Sequence, residues 1–124
     1  MVKILKLEDA PKLFFPDGKA YRIPLVTEET GAKKIAGLMG VMPAGTGEVV
    51  KYHYHNQRES VLFILSGQGK ALVEGKEYAL GPNTVMFVPP KEKHKVTNVG
   101  NSELRYIEFF TNPPVSSDFV EIPE

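Results

Sequence analysis

Short hydrophobic segments alternate with polar turns along nearly the whole chain. Gly and Pro interrupt the sequence every several residues, and the stretches between them are rich in Val, Ile, Phe, Tyr and Leu, which is typical of β-strands. We predict strands at residues 3–7, 20–26, 35–42, 49–55, 61–65, 69–74, 76–80, 84–88, 94–98 and 104–111. Many short strands with turns between them predict an all-β sandwich or barrel.

The strongest local prediction is a hairpin over residues 71–80. Gly75 lies between two short alternating segments, where a tight turn needs a backbone with positive φ. Residues 27–34 are polar and lack a helical apolar stripe, so we expect a surface loop there.

The length of 124 residues predicts one domain spanning residues 1–124, with residues 112–124 as a C-terminal tail. The tail begins with Asn-Pro-Pro, which forms a stiff linker, and continues to Phe119, Val120 and Ile122. Two alternatives stay open for it. It docks on its own barrel or on a neighbouring molecule, or it is a frayed terminus with one or two apolar residues tucked in.

Charge and composition narrow the possible functions. Fifteen basic and fifteen acidic side chains balance, and no basic stripe is interleaved with aromatic residues, so we expect no nucleic-acid partner and favour a small neutral or anionic ligand. The absence of Cys excludes thiol catalysis, zinc-thiolate sites and disulfides. No signal peptide or membrane span is recognisable, which predicts a soluble cytoplasmic protein without a membrane partner.

The three histidines are the main functional clue. His53 and His55 alternate within a predicted strand, so both imidazoles lie on one face, and His94 follows a Pro-Pro turn. Gly47, His53, His55, Glu59 and Gly67 resemble the first motif of the cupin superfamily. The segment from Pro89 through His94 to Asn98 resembles the second motif, although Asn83 and Lys91 stand where that motif has glycines, so the turn before His94 is expected to differ in shape.

The resemblance implies a jelly-roll β-barrel with a divalent metal ion inside it, commonly Mn, Fe, Ni or Zn. It implies that His53, His55 and His94 are imidazole ligands. The fourth ligand stays open, because the usual glutamate position holds Ser60 and the carboxylate lies one residue earlier, at Glu59. Strand alternation prevents both from pointing inward without a bulge. If Glu59 faces the metal it is a ligand and the general base; if Ser60 does, water fills the vacancy.

Side chains near these motifs are candidates for substrate contacts. We single out two of them: Arg58, because a guanidinium can bind a carboxylate or phosphate through two hydrogen bonds, and Tyr106. The larger set of candidates also contains Tyr52, Gln57, Lys70, Arg105 and Glu108. The segment from Val61 to Leu65 is apolar on both faces. We therefore expect its outer face to pack against another sheet or subunit, and the protein to be a homodimer.

Three functions stay open on the sequence. The first is a metal-dependent isomerase, lyase or dioxygenase acting on a small oxygen-rich molecule such as a sugar, sugar phosphate or keto acid. The second is a non-catalytic small-molecule binding or sensory module. The third is a structural or storage role, which the retained histidines and the single short barrel disfavour. A barrel that keeps its histidines without holding metal tightly is the remaining alternative.

Overall fold

The computed structural model of the chain describes residues 1–123, and within this range it contains eleven β-strands and two 3-10 turns. The strands are β1 (Leu13–Phe14), β2 (Tyr21–Val26), β3 (Ile35–Met42), β4 (His53–Tyr54), β5 (Ser60–Ser66), β6 (Gly69–Val73), β7 (Lys76–Leu80), β8 (Val85–Val88), β9 (His94–Asn98), β10 (Leu104–Thr111) and β11 (Val120–Glu121). No helix in this range is long and apolar enough to cross a membrane. The cytoplasmic location stays a prediction.

The strands form two antiparallel sheets. The first has six strands in the order β1-β2-β3-β10-β5-β8, and the second has five in the order β11-β4-β9-β6-β7. β10 lies inside the first sheet, where it pairs with β3 on one side and β5 on the other. Because strands that are neighbours in sequence often belong to different sheets, the chain crosses repeatedly between them, and the fold is a jelly-roll barrel.

Most strand predictions are confirmed. β3, β7, β9 and β10 have the predicted bounds, and β2, β5, β6 and β8 differ from the prediction by a residue at one or both ends. The predicted strand at residues 3–7 is wrong: these side chains are exposed, and no strand pairs with them. Of the strand predicted at residues 49–55, only β4 (His53–Tyr54) is a strand in the structure. The two-residue strands β1 and β11 were not predicted, since such short segments carry no periodic signal.

β5 shows how the barrel selects one face of a doubly apolar strand. Leu62 and Ile64 are buried in the interior, whereas Val61 and Phe63 are 42% and 36% exposed on the outside. This alternation follows from the two-residue period of a strand. The interior face packs into a core around Ile64, Leu104 and Met42, which closes one part of the barrel.

Two turns bear on the sequence predictions. The β6–β7 hairpin is confirmed, with Glu74 and Gly75 at φ values of 46° and 81°, as a type I′ turn requires at its two central residues. Lys91 adopts φ 70°, so this lysine takes the left-handed backbone that a glycine would take more readily. Asn83, at φ 64°, takes the same left-handed backbone, and the expectation of a differently shaped turn before His94 stays a prediction. The backbone N–H of Lys91 donates to the carbonyl of His55.

Candidate metal centre

The structure brings the three histidines together inside the barrel. His53 in β4 and His94 at the start of β9 are direct partners across the second sheet, and His55 follows β4 on the same face. All three are buried, with exposed fractions of 5% to 7%. One nitrogen from each ring lies within 4.8 Å of the others, a spacing compatible with a shared metal ion.

Backbone carbonyls orient all three rings. The Nδ1 of His53 donates to the carbonyl of Lys51 at 2.6 Å, and the Nδ1 of His94 donates to the carbonyl of Glu92 at 2.8 Å. The Nδ1 of His55 donates to the carbonyl of Asp118 at 2.6 Å. A carbonyl oxygen can only accept, so each neutral ring carries its proton on Nδ1 and leaves Nε2 with a free lone pair. This is the arrangement that metal-binding histidines use.

Burial keeps these imidazoles neutral. Burial, reinforced by repulsion from His94, lowers the pKa of His53 to about 3. Burial also lowers the pKa of His55 and of His94, against the opposing effect of their backbone carbonyl partners. A metal ion binds only the neutral ring, so the donor set fits a borderline divalent cation without first losing protons at neutral pH.

The predicted fourth ligand and base, Glu59, does not join this group. Its side chain is exposed, whereas Ser60, the next residue, is 1% exposed. Two successive residues of an extended chain point to opposite faces, so the register that turns Ser60 inward turns Glu59 outward. The Ser60 hydroxyl makes no hydrogen bond of good geometry among the described residues, although it lies close enough to the Glu108 carboxyl to lower the pKa of that group.

A different carboxyl group, Glu108, lines the cavity beside the histidines. It lies on β10 opposite Leu62, whereas Phe110 is the residue opposite Ser60, so Glu108 is a diagonal neighbour of Ser60 on the inward face of the sheet. Burial raises the pKa of Glu108 to about 7, although the charge of Arg58 favours ionisation. The sequence placed Glu108 among the possible contacts but gave no signal that singled it out.

The two predicted substrate-binding residues both line the cavity, which has a volume of about 450 Å³. Tyr106 lies in β10 opposite Gly40, where a Cβ would collide with the tyrosine ring, and burial raises the pKa of its hydroxyl. The guanidinium of Arg58, 3% exposed, donates to backbone carbonyls of the C-terminal segment, including Pro114 and Ser117 at 2.8 Å each. Those bonds use the guanidinium N–H groups that were expected to bind a substrate.

The C-terminal segment also contributes to the site, which sequence reasoning missed. Phe119 stacks on the ring of His53, with ring centroids 4.3 Å apart and planes inclined by 20°. The tail therefore docks on its own barrel, the first of the alternatives left open. In the sequence, only the apolar residues of the tail indicate that it docks, because the contact between Phe119 and His53 joins positions more than 60 residues apart.

Fold and site together define a small double-sheet β-barrel with a three-histidine cluster in its cavity. Residues 38–110 match the family model of the cupin domain. The chain belongs to the cupin family, as the two motifs predicted.

Individual proteins are also similar to the chain in sequence. The chain is 29% identical over 84 residues to an uncharacterized protein of Methanocaldococcus jannaschii, a match that covers 68% of this chain and 65% of that protein. The chain thus spans less than two thirds of that relative's length. It is 28% identical over 90 residues to the oxalate-binding protein of Thermotoga maritima, which covers 73% of this chain and 74% of that protein.

Solved structures share the fold. KdgF from Halomonas sp. superposes with a TM-score of 0.79 at 12% identity, over 93% of this chain and 97% of that one. A predicted oxalate decarboxylase from Thermotoga maritima superposes with a TM-score of 0.78 at 20% identity, over 90% of this chain and 100% of that one. Identities this low establish the jelly-roll fold and leave the chemistry to be argued from the site.

Proposed function

We propose that this protein holds a divalent metal ion on His53, His55 and His94 and presents it to a small oxygen-rich molecule in the cavity. The observation that carries the proposal is the set of three buried imidazoles, each with Nδ1 donating to a carbonyl and Nε2 left free. Nitrogen donors of this type favour Mn, Fe, Ni or Zn over calcium and magnesium. When bound, such a metal supplies a Lewis acid that polarises a ligand oxygen.

The charges around the cavity favour an anionic ligand. Arg22, Arg58, Lys51 and Lys95 line it, and Glu108 is the one acidic residue among its described lining side chains. Glu48 pairs with both lysines, so the positive charges of the lining exceed the negative ones but are partly neutralised. A keto acid, a small dicarboxylate or a sugar phosphate offers both an oxygen for the metal and a negative charge for the basic rim. The relative from Thermotoga maritima that is described as oxalate-binding supports oxalate as the first compound to test.

Glu108 is the residue we propose for proton exchange with that ligand. A general acid or base works best when its pKa lies near the working pH, and burial brings the pKa of this carboxyl to about 7. Its place in the lining of the same cavity as the histidines supports this role. Glu108 thus replaces Glu59 as the proposed catalytic residue.

The deciding experiment combines metal analysis with ligand titration. Protein purified without an affinity tag or chelator is assayed by plasma mass spectrometry, with His94→Ala as the control, and oxalate is then titrated by calorimetry into loaded and chelator-treated protein. We expect near-stoichiometric metal in the wild type alone, and oxalate binding that requires it. Absence of metal from both proteins, even after soaking with Mn²⁺, Fe²⁺, Ni²⁺ and Zn²⁺, would overturn the proposal.

Binding without turnover is the second candidate function. The similarity of the chain to the oxalate-binding protein of Thermotoga maritima is the observation that favours it. The two candidates separate in one assay, in which the loaded protein is incubated with each bound compound and the products are followed by NMR. Turnover that disappears in Glu108→Gln favours an enzyme, and tight binding without any product favours the binding module.

We also propose that the protein is a homodimer. The outer faces of β5, β8 and β10 carry a continuous set of exposed apolar side chains, in which Val61 is the cross-strand partner of both Phe87 and Phe109, and Val85 is the partner of Phe63. Exposed apolar patches of this kind commonly mark interaction sites. A second copy offers the same apolar side chains, so the patch can pair with itself about a two-fold axis.

A further inference from the structure

The C-terminal segment, residues 112–121, forms one side of the histidine site. Its strand β11 pairs with β4, with Glu121 opposite His53 and Val120 opposite Tyr54. Val115 and Phe119 line the same cavity as the histidines. The segment is therefore joined to the site by backbone pairing and also contributes side chains to the cavity wall.

Asp118 connects this segment to the residues around His55 in two ways. Its backbone carbonyl accepts the hydrogen bond from Nδ1 of His55 at 2.6 Å. Its carboxylate accepts three backbone N–H bonds, from Asn56 at 2.6 Å, Gln57 at 2.8 Å and Arg58 at 3.0 Å. The side chain thus anchors the turn after His55 while the carbonyl orients the His55 ring.

Arg58 completes a reciprocal arrangement. Its backbone N–H donates to Asp118, and its guanidinium donates back to carbonyls on the segment, among them Pro114 and Ser117. The guanidinium also lies over the ring of Phe110, with its carbon 4.3 Å from the ring centroid. Any shift of the C-terminal segment would therefore break several charge-assisted hydrogen bonds at once.

The other two histidines are oriented differently. His53 and His94 each donate to a carbonyl only two residues earlier, so local chain geometry is enough to fix those rings. The partner of His55 is 63 residues away in sequence. Asp118 adopts φ 51°, a left-handed backbone that is unfavourable for most side chains, and the contacts on both sides of it hold that conformation.

From this geometry we infer that Asp118 is a positioning residue for the metal site, fixing the tautomer and orientation of His55 through its carbonyl and holding that carbonyl in place through its carboxylate. The metal part of this inference rests on the proposed function. Removal of a group that accepts a hydrogen bond from a metal-binding histidine typically lowers metal affinity by about 10- to 100-fold. Asp118→Ala is therefore expected to weaken metal binding by about that factor.

The test uses Co²⁺ as the probe, added to full-length protein freed of metal by a chelator. Asp118→Ala is compared with Asp118→Asn, which keeps one acceptor oxygen, and with the matched control Asp17→Ala. Asp17 also caps a turn, since its carboxylate accepts the N–H groups of Lys19 and Ala20, but it has no bond to a histidine. We expect weaker Co²⁺ binding and an altered visible spectrum in Asp118→Ala, partial recovery in Asp118→Asn, and wild-type behaviour in Asp17→Ala.

A second readout needs no metal. Nitrogen-15 NMR of the chelator-treated protein reports the tautomer of each histidine, and we expect His55 to hold its proton on Nδ1 in the wild type and to lose that preference in Asp118→Ala. If Asp118→Ala does not fold, Asp118→Asn takes its place in both measurements. An unchanged tautomer together with unchanged Co²⁺ affinity would overturn the inference and leave the proposed function standing.

A wild type that binds no Co²⁺ would instead overturn the proposed function. The NMR arm would then still decide whether Asp118 orients His55, because that measurement compares the tautomer in metal-free proteins only. A tautomer that changes in Asp118→Ala while the His53 and His94 tautomers do not supports the positioning role. The equivalent change at all three rings would indicate general unfolding and would count against it.

Discussion

Replacing Glu108 with Gln is predicted to stabilise the protein increasingly as the pH rises. Burial raises the pKa of this carboxyl from its ordinary value of 4.5 to about 7 in the folded protein. Between these two values the unfolded chain loses the proton while the folded protein keeps it, so the unfolded state is favoured progressively as pH rises above 4.5. The full penalty is present above pH 7, and it is absent below pH 4.5.

The magnitude follows from the difference in pKa. A pKa difference of about 2.5 corresponds to a loss of roughly 3 kcal/mol in the free energy of unfolding, of which roughly 1 kcal/mol is already lost at pH 5. Glutamine has nearly the same shape and never ionises, so it removes the penalty. Between pH 5 and pH 8 the free energy of unfolding of Glu108→Gln should therefore rise relative to wild type by about 2 kcal/mol.

The assay is urea unfolding of chelator-treated protein at pH 5 and pH 8, followed by circular dichroism. Glu59→Gln is the matched control, because it makes the same chemical change at an exposed position and should follow the wild-type pH dependence. Parallel pH profiles for Glu108→Gln and wild type would refute the reasoning, since they would mean that the carboxyl ionises in the folded protein as easily as in the unfolded chain.

Three further predictions follow from the site and the sheet. The double variant His53→Ala and His55→Ala should stay folded by circular dichroism but bind no metal by plasma mass spectrometry; loss of the fold would mean that the rings are structural. A metal at about 100 times its Kd should add roughly 3 kcal/mol to the unfolding free energy of the wild type, and a chelator should reverse this. Phe87→Glu should convert the dimer to a monomer in light scattering, whereas Tyr78→Glu, at an exposed position on the other sheet, should not; a wild type that is monomeric would contradict the homodimer.

The sequence could predict the barrel because its signals are local or nearly so. Alternation and turn residues define β3, β7, β9 and β10 within their own segments, and the two-histidine motif needs only the period of a strand. The second motif then predicts that His94 joins the two histidines of the first, and His94 is indeed the cross-strand partner of His53. Features of this kind can be predicted from a single sequence because each depends on a few neighbouring residues.

The parts that the sequence could not predict depend on contacts between distant segments. The face on which Ser60 lies is decided by pairing with β8 and β10, and both registers look alike in the sequence because the following strand is apolar on both sides. The carbonyl that orients His55 comes from the C-terminal tail. A backbone carbonyl has no sequence signature at all, so no pattern could have assigned it.

The position of the carboxyl group decides what kind of chemistry the proposed site could do. A glutamate at Ser60 would be a fourth metal ligand, and its negative charge would be held by the metal. On β10 the Glu108 carboxyl lies one strand away, diagonal to Ser60, and it shares the cavity without belonging to the histidine cluster. A carboxyl with a pKa of about 7 that is not committed as a ligand can hold or release a proton at neutral pH. Three imidazoles would then leave more of the metal's positions open to the ligand, and Glu108 would be free to exchange a proton with that ligand, as the proposed function requires.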